Sequence, residues 1–329
     1  MISSILLLAL PFASPPHQLV INRNEPAFLL TANHHTNSSA DNNERTNLTP
    51  PRRAPVPIAN GHDQILPSND VRSFTCYQQN VRGLRTKTNS LMLALSQCEY
   101  DVIALTETWL NNDILDSELT HNYTIHRCDR NARTSRHKRG GGVLIAVRNE
   151  LRSAAVHVAD SDELEQIDFR VLLPNFELFV CCIYLPPNSD PLLYTQHAEC
   201  VQKLTKLAGD RNVILVVGDY NLPHLCWTQD DNLKCMLPIN ASTEQEIALV
   251  ESVLSNGLYQ INNITNFNGR LLDLAFVSDN SCVEILEPAL PLLKVDQHHY
   301  PFVIIFDIAE EKTTSNVESL DFDFSRCDF

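Results

Sequence analysis

Asn80, Glu107, Tyr184, Asp219, Asn221, Asp273 and His299 stand at or beside the ends of apolar runs, and breaking a phosphodiester bond needs side chains of these types. Phe74–Gln79 leads to Asn80, Asp101–Thr106 to Glu107, and Phe179–Ile183 to Tyr184. Val213–Gly218 leads to Asp219, with Asn221 two positions on. Asp273 lies inside Leu271–Val277, while Asp296 and His299 precede Pro301–Phe306. Hydrolysis requires neutralised phosphate charge, an activated and oriented water, and a stabilised leaving group. Glu107 is a hard oxygen ligand of the kind Mg2+ prefers. A carboxylate directly after a buried run, as at Asp219, is costly without a partner. With Asn221 beside it, Asp219 can take a proton from a water that the amide holds. Asp273 can orient His299 as a base–orienter pair, and the phenol of Tyr184 can meet a phosphate. Taken singly, each has an ordinary explanation. Glu107 reads as a surface glutamate, Gly218-Asp219-Tyr220-Asn221 as turn chemistry, and Tyr184 as a core tyrosine. The ordered set carries the argument.

Short continuous apolar runs read as buried strands. Between them lie three helix candidates. Thr88–Cys98 carries Leu91, Leu95 and Cys98, and Pro191–Leu207 carries Val201, Leu204 and Leu207 before Gly209. Ser242–Asn256 opens on a capping box of Thr243 and Glu246, shows Ile247, Val250 and Leu254 as its stripe, and stops at Gly257. Gly142–Val147 and Ile167–Leu173 read as members of hairpin-like pairs. This mixture of strands and helices favours an α/β sandwich over a purely doubly wound sheet.

The chain has 329 residues and a formal net charge of −15, so its overall field does not grip nucleic acid. The basic residues are concentrated instead, with Arg127, Arg130, Arg133, Arg136, Lys138 and Arg139 in one segment that suits phosphate contact as well as a solvated loop. Ten cysteines show no CxxC pair or zinc spacing, and Cys181 and Cys182 look like core residues on opposite strand faces; reduced, intracellular thiols are expected. Residues 1–70 are expected to be disordered, behind a signal-like apolar start from Ile2 to Ala13 that lacks a preceding Lys or Arg. The folded domain is expected over 71–308, and 309–329 reads as an acidic tail or truncated linker.

Six strings carry a resemblance: Gln79-Asn80-Val81-Arg82-Gly83-Leu84, Ile103–Leu110, Arg139–Ile145, Tyr184-Leu185-Pro186-Pro187, Gly218-Asp219-Tyr220-Asn221 and Leu272-Asp273-Leu274. In this order they resemble the endonuclease/exonuclease/phosphatase, or DNase I-like, superfamily. More closely, they look like the apurinic-type endonuclease domain of non-LTR retrotransposons. The resemblance implies a four-layer α/β sandwich, two packed β-sheets flanked by helices, with the site at one end. It implies Asn80, Glu107 and Asp296 near a Mg2+ ion that Mn2+ can replace. It further implies Tyr184 at the phosphate, Asp219 as base, Asn221 as orienter, and Asp273 paired with His299, which donates to the scissile phosphate. Arg82, Arg127, Arg130 and Arg139 would contact the substrate. DNA is the expected partner, nicked by a monomer acting inside the cell, in the nucleus, with no membrane association; secretion is the alternative raised by the apolar start.

One motif departs from the family pattern. Where Ser-Asp-His is usual, the chain reads Val295-Asp296-Gln297-His298-His299-Tyr300-Pro301. Alignment on Pro301 makes His299 the family histidine and sets His298 where aspartate is expected, with Asp296 two places early. A bulge would be needed to bring that carboxylate to the site, and the expectation is retained but weakened activity. Two alternatives stand beside the endonuclease: a phosphatase or phosphodiesterase of the same superfamily acting on another substrate, and a catalytically degenerate fragment of a mobile element.

Overall fold

The computed structural model of the protein describes residues 72–135, 139–158 and 163–308. The expectations for 1–70 and 309–329, and for Arg136 and Lys138, fall outside the described residues.

All six apolar runs are strands. They are β1 (Arg72–Asn80), β2 (Val102–Thr106), β7 (Glu177–Tyr184), β8 (Val213–Asp219), β12 (Asp273–Val277) and β14 (Phe302–Ile308). Around them lie β3 (Tyr123–Cys128), β4 (Val143–Arg148), β5 (Arg152–Ala155), β6 (Glu165–Leu172), β9 (Trp227–Asp230), β10 (Cys235–Pro238), β11 (Tyr259–Gln260) and β13 (Val283–Leu286). The first sheet runs β13-β14-β1-β2-β4-β3 and the second β5-β6-β7-β8-β12-β11-β10-β9. Both are mixed: β1 and β2 are parallel, as are β7 and β8, and the other neighbours are antiparallel.

Period-two alternation explains how the sheets stack. One face of each supplies the central layer, with Phe74, Cys76, Val102, Ala104, Ile145 and Ile304 from the first sheet meeting Phe169, Val180, Cys182, Leu215, Val217 and Ala275 from the second. The outer face of the first sheet packs on α1 (Thr88–Gln97) through Tyr77, Ile103 and Leu105 against Leu91 and Leu95. The outer face of the second packs on α2 (Pro191–Ala208) and α3 (Glu244–Ser255) through Cys181, Val216 and Phe276. The architecture is therefore a four-layer sandwich, helix–sheet–sheet–helix. Cys181 and Cys182 do face opposite layers, and every cysteine among the described residues is a free thiol. Among those residues no helix is long and apolar enough to cross a membrane.

The helix faces need correction. In α3 the capping box of Thr243 and Glu246 is present, but the buried residues are Glu246, Leu249, Ser252 and Val253, while Ile247 and Leu254 are exposed. In α2 Leu207 is exposed, and the buried stripe is Tyr194, His197, Cys200, Val201, Leu204 and Ala208. Val201 and Leu204 of the expected α2 stripe are buried, and Val250 of the α3 stripe packs partly buried against the same core, but both helices carry apolar residues on more than one face, so spacing alone also picks the exposed Leu207, Ile247 and Leu254. His197 and Glu246 are admitted to buried faces because each is hydrogen-bonded: His197 to Gln166 and Tyr220, Glu246 to the backbone of Ser242 and Thr243.

Candidate active site

Strand register assembles the site. Glu165 on β6 lies opposite Tyr184 on β7, Tyr184 opposite Asp219 on β8, and Asp219 opposite Asp273 on β12. Directly opposed residues point to the same face of a sheet, and here that face is the one turned to the central layer, where Tyr184, Val217 and Ala275 already lie. Four adjacent strands thus end in one row of polar side chains. From the facing sheet Gln78 and Asn80 on β1 project into the same space, spaced by two. The apolar layer between the sheets is capped at one end by a polar one.

Direct contacts tie the row together. Asn80 Nδ2 donates to Asp219 Oδ2 at 2.8 Å, and Gln78 Nε2 donates to Asp273 Oδ1 at 3.0 Å, each bond crossing between the sheets. His299 Nδ1 lies 2.7 Å from Asp273 Oδ2 and 3.6 Å from Asp219 Oδ2. Tyr184 Oη donates to Glu107 Oε1 at 3.0 Å, while Trp109 Nε1 donates to Glu107 Oε2 at 3.0 Å. Asp219 has no exposed surface, and Asp273 and His299 are also buried. Asp219, Asp273 and His299 each offer a ligand atom within 4.8 Å of the others.

Electrostatics follow from this crowding. Burial pushes the Asp219 carboxyl well above its ordinary value, the neighbouring Asp273 adds to the rise, and His299 and the Asn80 amide oppose it. Burial alone would lower the His299 imidazole, but Asp273 and Asp219 outweigh it and raise it from 6.5 to about 10. Burial, then Glu107, raises the Tyr184 phenol, which keeps it a proton donor.

The backbone is strained where the site is presented. Glu107, Trp109, Asn221 and Arg82 have φ of 53°, 55°, 49° and 42°, left-handed values uncommon outside glycine. Asn221 is accordingly not a strand residue, and period two does not place it. Its N–H donates to Asp219 Oδ1 at 3.1 Å and its Nδ2 to the Leu185 carbonyl at 2.9 Å, so turn chemistry holds it beside the carboxylate. Close approach matters at Gly218, where a Cβ would lie 2.0 Å from the Ile183 carbonyl oxygen.

The terminal motif makes a tight turn rather than a bulge. His299 N donates to the Asp296 carbonyl at 3.1 Å, and the Asp296 carboxylate accepts from His298 N at 2.8 Å and from Arg82 Nη1 at 2.9 Å. Asp296 is not in the cluster formed by Asp219, Asp273 and His299. Burial opposes its ionisation, but those two donors hold its carboxyl below the usual range. Arg82 and Asp296 form a half-exposed ion pair at the rim.

Among the described residues of the basic segment, Arg127 and Arg130 are engaged within the protein. Arg127 donates to the Ile114 carbonyl at 2.8 Å and pairs with Asp116 and Asp129 at 3.3 and 3.4 Å. Arg130 pairs with Glu165 at 2.5 Å, and Arg139 is exposed. Sequence reasoning did not single out Gln78, Trp109 or Glu165. Gln78 had a signal, since it shares a strand face with Asn80; Glu165 had none without the strand pairing.

A hard cation suits the donors present. The site offers carboxylate and amide oxygens, and Gln78 Oε1 and Thr106 Oγ1 are buried there without a protein partner.

A family model described as the Endonuclease/Exonuclease/phosphatase family matches residues 71–289. No curated protein matches the sequence. Among solved structures, the chain is similar to the endonuclease domain of TRAS1, a telomere-specific non-LTR retrotransposon, with a TM-score of 0.50 at 12% identity over 72% of this chain and 100% of that one. It is also similar to the AP endonuclease LMAP from Leishmania major, with a TM-score of 0.53 at 15% identity over 72% and 89%. An AP endonuclease from Archaeoglobus fulgidus gives 0.51 at 18% over 71% and 100%. At these identities the likeness is one of fold.

Proposed function

The chain belongs to the endonuclease/exonuclease/phosphatase family, and from that premise we propose that it hydrolyses phosphodiester bonds in DNA as a nicking endonuclease of the non-LTR retrotransposon kind. The observation that carries this reading is His299 set between Asp273 and Asp219, 2.7 Å from one carboxylate and 3.6 Å from the other. Asp273 holds Nδ1, which leaves Nε2 of a protonated imidazole to donate to a non-bridging oxygen of the scissile phosphate. Asp219, whose proton affinity is raised by burial, takes the proton of the attacking water. Asn221, locked at its left-handed backbone, orients that water. The phenol of Tyr184, whose one proton is directed to Glu107 here, turns to donate to the phosphate when substrate binds. The new bond joins the water oxygen to phosphorus as the bond to the 3′ oxygen breaks, and that oxygen takes a proton from solvent, leaving a 3′-hydroxyl and a 5′-phosphate.

Asn80 and Glu107 would hold a divalent cation, Mg2+ or Mn2+, with Asp296 at the rim, and such an ion would supply neutralisation of the charge that develops in the reaction. Arg82 and Arg139 are exposed and suited to backbone phosphates, whereas Arg127 and Arg130 act through the protein contacts they make. The reading includes a monomer acting on nuclear DNA.

A second reading, a catalytically silent member, has one observation in its favour. The Asp296 carboxylate is taken up by Arg82 and His298 N. Nicking of supercoiled plasmid with Mg2+ separates the two. Turnover is expected, with Asp219→Asn and Glu107→Gln each lowering it by about 10²–10⁴-fold. Absence of nicking by the unmodified chain would leave the silent reading standing.

A further inference from the structure

We propose that Glu165 is a positioning residue that sets both partners of the Tyr184–Glu107 hydrogen bond from a single buried carboxylate. The inference rests on the proposed phosphodiesterase site and deepens it.

Glu165 is 3% exposed, yet it is a carboxylate at the start of an antiparallel strand. Such a group is retained only with several donors. Oε1 accepts from Arg130 Nε at 2.5 Å and from Thr134 Oγ1 at 3.1 Å. Oε2 accepts from Gly142 N at 2.6 Å and Arg130 Nη2 at 3.4 Å. These donors lead to the site along two routes.

The first route runs through Arg130. Its guanidinium carbon lies 5.6 Å from the centroid of the Tyr184 ring, a cation over an aromatic face. Its Nη1 also donates to the Arg139 carbonyl at 2.9 Å. With its fork occupied on both sides, Arg130 is a fixed plate against Tyr184, and Tyr184 is also opposite Glu165 in the strand pairing.

The second route runs through the glycine turn. Glu165 fixes Gly142 N, and the carbonyls of Gly142 and Gly141 accept from Thr108 N at 3.2 Å and Trp109 N at 2.9 Å. Those two residues follow Glu107, and Trp109 also bonds the Glu107 carboxylate through its indole. The left-handed φ of Glu107 and Trp109 needs such support. The turn has no room for larger residues: a Cβ on Gly141 would lie 2.0 Å from Glu165 Oε2 and 2.4 Å from Arg130 Nη2. Glu107 follows β2 of the first sheet and Tyr184 ends β7 of the second, so Glu165 couples their positions across the central layer.

The test uses the full chain with Trp227→Phe, which leaves Trp109 as its one tryptophan. Glu165→Gln keeps the size and removes the charge that holds Arg130; Arg130→Lys is the second variant and keeps a cation. Each is expected to shift Trp109 emission and raise its quenching by acrylamide, with far-ultraviolet circular dichroism unchanged. In plasmid nicking each is expected to lower kcat by at least roughly tenfold with KM within about twofold, the size seen when a supporting residue is lost. Glu165→Gln should cost much less when Tyr184 is already phenylalanine, because the two act as one unit. Unchanged Trp109 emission in a folded variant overturns the proposal, and so does a shifted emission with kcat within about twofold of the parent. If the parent does not nick DNA, the function proposed above fails, while the Trp109 emission alone still decides the coupling.

Discussion

His299 stands between two buried carboxylates, and its charge state has consequences for stability. In the folded protein its proton affinity is raised from 6.5 to about 10 by Asp273 and Asp219, which overcome burial. A cation whose folded value exceeds its unfolded one stabilises the fold fully below the unfolded value and ceases to as pH rises through the folded value. The stabilisation from this ion pair is therefore complete below about pH 6.5 and lost by about pH 10. Asp273→Asn removes the nearer partner, so the imidazole affinity falls and the alkaline loss begins at lower pH. Urea unfolding between pH 6 and 10 measures this; identical pH dependence in the variant and the parent would contradict it. The pairing of Asp273 with His299 was legible from residue types alone. The companion contact with Asp219 was not, because it depends on β8 and β12 being neighbours, and they are separated by 53 residues of chain between Asp219 and Asp273.

At the scale of elements, α3 shows how far periodicity reaches. The capping box was legible because it is local: Thr243 Oγ1 accepts from Glu246 N, and Glu246 accepts from Thr243 N. The buried face was not, since Ile247, Val250 and Leu254 fit helical spacing as well as Leu249 and Val253 do, and only the sheet decides. Leu249→Ala is accordingly expected to cost about 2–5 kcal/mol, and Leu254→Ala less than about 0.5 kcal/mol. Equal losses in denaturant unfolding would place the helix differently. The end of β8 makes a sharper demand. Gly218→Ala would drive a methyl to within 2.0 Å of the Ile183 carbonyl oxygen, backbone that cannot rotate away. Strand separation between β7 and β8 would follow, at a cost of about 2–4 kcal/mol. The same variant should depress turnover, because Tyr184 and Asp219 are opposed across that pair. Full stability with full activity would contradict this account of the strand end.

Over the whole molecule, the six strands read as apolar runs were legible because burial on both faces leaves continuous apolar stretches such as Val213–Val217. The short strands β5, β9, β10, β11 and β13 leave no such signal, having two to four residues each and partly exposed faces. The residues of the site were named by their place at strand ends, and Glu165 escaped because its role exists only once β6 pairs with β7. The two sheets meet through an apolar layer whose one end is polar, and the bonds Asn80–Asp219 and Gln78–Asp273 cross it there. That arrangement is the physical basis for the proposed hydrolytic centre, to which both sheets contribute. Its central claim is tested most directly by incubating the full chain with supercoiled plasmid and Mg2+ and then offering the product to a DNA polymerase. The expected result is relaxed circles whose nicks are extended from a 3′-hydroxyl, formed about 10²–10⁴-fold more slowly with Asp219→Asn. Intact plasmid, or nicks that the polymerase cannot extend, would contradict it.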